Sequence, residues 1–163
     1  MGRIMLSYEK HLDNLVRHIE LVREAGILLA NRLAESGRKD FARILLGNIF
    51  IHDASKFAGI EWDYLHAGEV PAEQLQLAIK QHQQTNMHHP EFWGGFDNMP
   101  EVYLAEMVCD WYARSMEFGT GLRDWITDTA IDKFKINIKS RNYETLVSFV
   151  DMLLINYFSV EKK

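Results

Sequence analysis

A chain of 163 residues with 47% apolar content is long enough to bury a core and too hydrophobic for a disordered segment. Its net charge of −5, without a long basic run, excludes a dedicated duplex-DNA binder, which needs clustered Lys and Arg for phosphates, but leaves room for a small phosphorylated ligand. The single cysteine, Cys109, allows no internal disulfide and suits a reducing cytoplasm; the first ten residues are too poor in apolar side chains for a signal peptide, and no run reaches membrane-spanning length.

The first helix is predicted over about 7–35, capped by Ser7 and stopped by Ser36-Gly37. Leu12, Leu15, Ile19, Val22, Ile27 and Leu29 fall near a 3.6-residue period, with charged residues between them. His11 and His18 share one stripe of this helix, and each reads either as a polar residue at the stripe's edge or as a ligand. A second helix, about 38–53, has the apolar face Phe41, Ile44, Leu45, Ile49 and Phe50 and delivers His52 and Asp53 from its C-terminal end. Beyond Gly59 a short helix, 60–66, carries Glu61, which reads as part of a solvated face or as a support or base beside His52-Asp53. Pro71 starts a helix to about Gln83, with His82 near its end.

The passage 83–100 holds Pro90, Pro100 and Gly94-Gly95 and no sustained period. It reads as the longest loop in the chain, and long loops inside compact domains are often functional. His88 and His89 lie in it. A helix from about Pro100 to Phe118 is broadly apolar through Val102, Leu104, Met107, Val108, Trp111 and Met116, with Asp110 embedded. A carboxylate there is costly to bury unpaired, so Asp110 turns outward, meets Arg114, or has a special buried partner. Helices over about 122–135 and 142–160 complete the chain, the last capped by Asn142. Its Leu146, Val150, Leu153, Leu154 and Phe158 fit either deep burial or a homodimer face. No strand alternation, repeat or linker is visible, so the expectation is one all-α domain, 1–163, of six or seven helices.

His18, His52, Asp53, His82, His88, His89 and Asp110 are the residues that can bind metal. Imidazole suits zinc, iron, nickel and manganese, and a carboxylate suits harder ions and can bridge two. Two nucleophile classes are set aside: Cys109 lies in an apolar helix, and neither a Gly-rich phosphate loop nor a Gly-x-Ser-x-Gly elbow occurs. The residues by themselves argue for metal and no further.

The order His, His-Asp, His, His, Asp along a helical chain resembles the HD superfamily of metal-dependent phosphohydrolases, over about residues 11–115. The family's ligands would fall on His18, His52, Asp53 and Asp110, with His11 the rival for His18. His52-Asp53-Ala54-Ser55-Lys56 is similar to the His-Asp-x-Gly-Lys motif of HD-GYP cyclic-dinucleotide phosphodiesterases and to the His-Asp-Ala-Ser-Glu motif of HD-type nucleoside monophosphatases, with Lys56 in place of the acid. His88-His89-Pro90-Glu91 resembles the His-His-Glu segment of the first group, but Trp93-Gly94-Gly95-Phe96 stands where its Gly-Tyr-Pro would be, so this is no cyclic-dinucleotide phosphodiesterase by motif. The chain is also similar to small phage and bacterial HD-domain proteins carrying His-Asp-x-Ser-Lys-Phe and Asn-x-His-His-Pro-Glu.

The resemblance implies one or two divalent ions (Mn, Fe, Co, Ni, Zn or Mg), the second on His82 and one of His88 or His89, with Asp53 bridging. It implies hydrolysis of a small phosphate ester, most naturally a nucleotide, by metal-activated water. Lys56 would meet the phosphate, His89 or Glu91 would assist proton transfer, and Glu61 would support the centre or act as base. Arg17, Lys80 and Arg114 are further phosphate candidates or plain surface residues; Phe92, Trp93 and Phe96 either stack on a base or pack on the helices beneath. A di-iron oxygenase cleaving a C–C or C–P bond and a non-catalytic, metal-stabilised binding module are the alternatives.

Overall fold

The chain folds around helices whose buried stripes recur at helical spacing. In the computed structural model, which describes residues 2–65 and 68–155 (side chains from residue 8), α1 runs Gly2–Glu35. It starts before Ser7, which therefore lies inside the helix and does not cap it. Its buried stripe is Leu15, Ile19, Val22, Ala25, Leu29 and Leu33; Leu12 and Ile27, expected on that face, are exposed. α2 (Lys39–Ile51) packs along α1 through Ala42, Leu45 and Ile49, leaving Ile44 and Phe50 outside. Gly26 permits the close approach: a Cβ there would sit 2.6 Å from Ile49 Cγ1 and 2.8 Å from its Cδ1.

α2 stops at Ile51, before the His-Asp pair. Asp53 adopts left-handed backbone with φ 56°, a conformation Asp tolerates better than most side chains. A 3-10 turn, Ala54–Phe57, leads into α3 (Gly59–Tyr64). The expected end of that helix at His66 lies outside the described residues. α4 covers Ala72–Thr85. The passage that follows is ordered by two 3-10 turns, Pro90–Trp93 and Phe96–Asn98, with Phe96 and Met99 sunk in the core.

α5 (Glu101–Phe118) is the central helix, packed against α1, α2 and α8 (Arg141–Leu154). Between α5 and α8, α6 (Leu122–Trp125), a π-helical turn (Ile126–Ala130) and α7 (Ile131–Lys133) run on as one stretch. Ser140, not Asn142, caps α8, accepting the Tyr143 N–H at 3.2 Å. Asn142 instead donates its amide to the carbonyls of Phe96 (2.8 Å) and Met99 (3.0 Å), pinning the loop. The α8 residues Leu146, Phe149, Val150 and Leu153 are buried within the chain's own core; Phe158 and Val160 lie outside the described residues. Arg32 of α1 ties down the end of α8 by donating to the carbonyls of Met152, Leu153 and Ile155.

Among the described residues there is no strand, and no helix is long and apolar enough to cross a membrane. Over the described residues the fold is a single all-α unit of seven helices when the 122–133 stretch is taken as one.

A helical Gly→Ala change ordinarily gains up to about 1 kcal/mol. Gly26→Ala is predicted to lose about 1–3 kcal/mol instead, because the new methyl meets Ile49. Gly47→Ala, with nothing within 4 Å of its Cβ, is predicted to show the ordinary gain. Denaturant midpoints of the two variants check this pair.

Candidate metal centre

Five segments bring their polar side chains to one point in an otherwise apolar interior. His18 comes from α1, His52 and Asp53 from the turn after α2, His82 from α4, His88 and His89 from the loop, and Asp110 from α5. His18 Nε2 lies 3.0 Å from Asp110 Oδ1 and 3.5 Å from Asp53 Oδ2. His52 Nε2 lies 3.5 Å from the same Asp53 oxygen and 3.8 Å from Asp110 Oδ1. On the other side, His82 and His88 point their Nε2 atoms at Asp53 Oδ1, at 3.3 and 3.4 Å, and His88 reaches Asp110 Oδ2 at 3.8 Å. His89 joins His82 and His88 in a triad whose ligating atoms all lie within 4.8 Å of one another. Asp53 thus offers one oxygen to each group, and Asp110 divides in the same way. The expected choice between His88 and His89 does not arise, because both reach the second group.

The Nδ1 atoms explain why every Nε2 faces inward. Glu117 takes His18 Nδ1 at 2.7 Å, Glu61 takes His82 Nδ1 at 2.8 Å, and Glu106 serves both His52 (3.0 Å) and His88 (3.3 Å). With each Nδ1–H held by a carboxylate, Nε2 is the nitrogen aimed at the centre, and it is the one that offers a lone pair to a metal once it gives up its proton. Glu61 is fully buried, so neither a solvated face nor a direct base suits it; it stands behind His82. Ser55 donates its hydroxyl to Glu61 at 2.8 Å, and Asn86 donates to Ser55 Oγ at 2.9 Å and to the His82 carbonyl at 3.0 Å. The Ser of the His-Asp-x-Ser-Lys-Phe segment and the Asn of Asn-x-His-His-Pro-Glu therefore hold a single histidine in place.

The inward atoms fit a cation. Nε2 of His18, His52, His88 and His89, and Oδ1 of Asp53 and Asp110, are buried and make no aligned hydrogen bond among the described residues. Buried polar groups are rarely left so. Several imidazoles with two dividing carboxylates make a donor set that holds divalent transition metals. These buried His/Asp clusters can hold a metal ion. In the metal-free chain the groups titrate on one another. Burial alone would raise the Asp53 pKa, but the charges of His52 and Lys56 and the close imidazoles of His18 and His82 hold it well below 3.8. Asp110 is likewise pushed up by burial and held well below 3.8 by His18, His52 and His88. Burial would lower the His18 pKa, but Asp110, Asp53 and Glu117 raise it to about 10. His89 goes the other way: burial and the neighbouring His88 and His82 push it down to about 2, leaving a neutral imidazole.

Two chambers open onto this floor. One, of about 390 Å³, meets His82, His88, His89 and Asp110 and is walled by Met107, Trp111, Trp125 and Phe134. The other, of about 410 Å³, meets His18 and is lined by His11, Asn14, Arg17 and Glu117. Lys56, Arg114 and Phe118 border both. Lys56 is buried and donates to Asp53 Oδ2 at 2.7 Å.

Several expected roles move. His11 packs against Trp62 with ring centroids 4.6 Å apart, outside the ligand groups, so His18 is the α1 member. Asp110 neither turns outward nor pairs with Arg114, which instead meets Glu117 at 3.0 Å. Glu91 is exposed and accepts from Gln83 at 3.1 Å. Lys80 lines a separate surface groove. Phe92 and Trp93 pack on each other at 5.0 Å, Trp93 donates to the Met87 carbonyl, and Phe96 is core; none of the three lines either chamber. Glu106, Glu117, Asn86 and Ser55 are the participants that sequence reasoning missed. A signal existed for the first two: Glu106, Asp110 and Glu117 form an acidic stripe at helical spacing on an apolar helix.

The model of a family described as "Family of unknown function (DUF5662)" matches residues 7–156, and the chain belongs to that family. No curated protein and no solved structure matches the chain.

Glu106→Gln is predicted to weaken metal binding about 10–100-fold, since one side chain orients two imidazoles. Isothermal titration with Mn²⁺ or Zn²⁺ reads this. A proton sits on His18 up to about pH 10 and must leave when Nε2 ligates, so metal binding is predicted to release protons and to tighten as pH rises toward about 10. The metal-free fold behaves differently. His18 contributes stability in full below its ordinary 6.5 and loses it as pH rises toward about 10. Asp53 and Asp110 contribute above their ordinary 3.8 and lose it as pH falls through their depressed values. Neutral His89, held at about 2, costs stability as pH falls below its ordinary 6.5, so the melting temperature of chelator-treated protein is predicted to peak near pH 6.5 and to fall on both sides.

Proposed function

We propose that this protein is an HD-type metal-dependent phosphohydrolase acting on a small phosphomonoester. The observation that carries the reading is the Asp53 carboxylate divided between two groups of inward-facing imidazoles, on the floor of a cleft bordered by Lys56 and Arg114. In this reading His18, His52, Asp53 and Asp110 would hold one divalent ion, and His82, His88, His89 and Asp53 would hold a second. Such ions, when bound, acidify water and neutralise charge on a phosphoryl group.

The remaining work falls to the chain. Glu61, Glu106 and Glu117 keep the imidazoles in one tautomer and orientation, so no reorganisation is needed at the moment of reaction. Lys56 is a compact cation that lines both chambers; with its Asp53 partner engaged elsewhere, its ammonium is placed to meet a phosphate oxygen. Arg114 adds a second positive group at the same border. His89 stays neutral and serves better as a nitrogen donor than as the proton carrier suggested by its position in the sequence.

Metal-loaded protein is predicted to release inorganic phosphate from a panel of phosphomonoesters. Asp53→Ala should lose both bound metal and activity. Lys56→Ala should keep its metal and lose roughly 10²–10³ in kcat/KM, the usual loss for one electrostatic donor. No phosphate release with any of Mn²⁺, Co²⁺, Ni²⁺ or Fe²⁺, or turnover that consumes O₂ with iron bound, would overturn the hydrolase reading.

A further inference from the structure

The 390 Å³ chamber is built of two unlike halves. Its floor is the imidazole and carboxylate cluster. Its far wall is aromatic: Trp111 lies 5.0 Å from Trp125 and stacks on Phe134 at 5.5 Å with ring planes 15° apart. Trp125 and Phe134 are only partly buried, and both line the chamber. Thr129 and Lys133, one and two helical turns beyond Trp125, line the same side. The π-helical turn Ile126–Ala130 falls inside this stretch, and such turns occur frequently at functional sites. Lys133 is exposed, sits 5.3 Å from the Phe134 ring, and forms no ion pair among the described residues. Lys56 and Arg114 line the chamber too, paired with Asp53 at 2.7 Å and Glu117 at 3.0 Å, so Lys133 is the lining Lys or Arg without an ion pair among the described residues. The volume is in the range of small-molecule sites, about 300–1,000 Å³.

We propose that the Leu122–Phe134 stretch is the specificity element of this site, and that Trp125, Phe134 and Lys133 select a phosphomonoester whose alcohol carries a planar heteroaromatic ring, of the nucleoside 5′-monophosphate type. This rests on the phosphohydrolase reading above for what happens at the floor. A flat ring covers the exposed aromatic faces, which a bare sugar would leave wet. The phosphate takes the cationic border of Lys56 and Arg114, and Lys133 meets the acceptor atoms on the ring's edge. The aromatic residues that the sequence placed near the ligand, Phe92, Trp93 and Phe96, are replaced in this role by a segment about thirty residues further on.

The test uses the metal-loaded full chain with two probes, adenosine 5′-monophosphate and ribose 5-phosphate. The nucleotide should quench tryptophan fluorescence saturably, ribose 5-phosphate should not, and kcat/KM should favour the nucleotide at least about tenfold, a typical worth for one stacked base. Trp125→Ala should narrow that preference to near unity. Lys133→Ala, at an exposed position where folding is not at risk, should weaken nucleotide binding several-fold. Equal kcat/KM for the two probes, or a preference that survives both substitutions, would overturn the specificity element while leaving hydrolysis intact. If neither probe is hydrolysed, the hydrolase reading is decided by the wider phosphomonoester panel, and saturable quenching that disappears in Trp125→Ala still upholds the ring site; no quenching overturns it.

Discussion

Taking a carboxylate out of water costs several kcal/mol even after the surroundings relax, and Asp53 is 1% exposed. The fold can place it there only because the imidazoles of His18, His52, His82 and His88 and the ammonium of Lys56 surround it. Those partners come from α1, the turn after α2, α4 and the ordered loop, and Asp110 of α5 closes the set. One buried charge therefore dictates where five segments must meet. The left-handed backbone at Asp53 follows from the same demand: α2 has to end abruptly so that His52 and Asp53 both turn inward.

Behind the inner atoms stands a layer of glutamates. Because Glu106 engages both His52 and His88, the two proposed ion sites share a support, and a shift at one is felt at the other. The apolar packing reaches the centre by a short path. Ile49, three residues before His52, is clamped against Gly26 of α1, so the spacing of α1 and α2 also sets where His52 and His18 stand relative to each other. The proposed chemistry needs that rigidity, since pre-set orientation is what a polar site contributes beyond charge.

The all-α class and the helices were legible because apolar side chains recur with the helical period, and α1, α4 and α5 fall close to their predicted ranges. Boundaries were less so: Ser140 and Asn142 are both good caps, and only the docking of the 86–100 loop decides that Asn142 is used on Phe96 and Met99. His18, His52, Asp53, His82, His88 and Asp110 were legible as a set through their order. His11 and His18 were not separable, since they share a stripe; what distinguishes them is that Asp110 faces one and Trp62 covers the other. Glu61 looked like a surface residue because nothing local reveals that α3 folds back onto α4 and covers it. The aromatic wall was missed for the same reason: Trp125 and Phe134 carry ordinary core spacing, and only the packing of the 122–134 stretch against α5 turns them toward the cleft.

In the proposed reading Asp53 would bridge two divalent ions. It is tested most directly by anomalous diffraction from crystals of the protein grown with Mn²⁺. The account predicts two peaks per chain, about 3.5–4 Å apart as in two-metal sites, one beside His18 and His52 and the other beside His82, His88 and His89, with the Asp53 carboxylate between them. No peak at this cluster, or one that leaves Asp53 bonded only to Lys56, would contradict it.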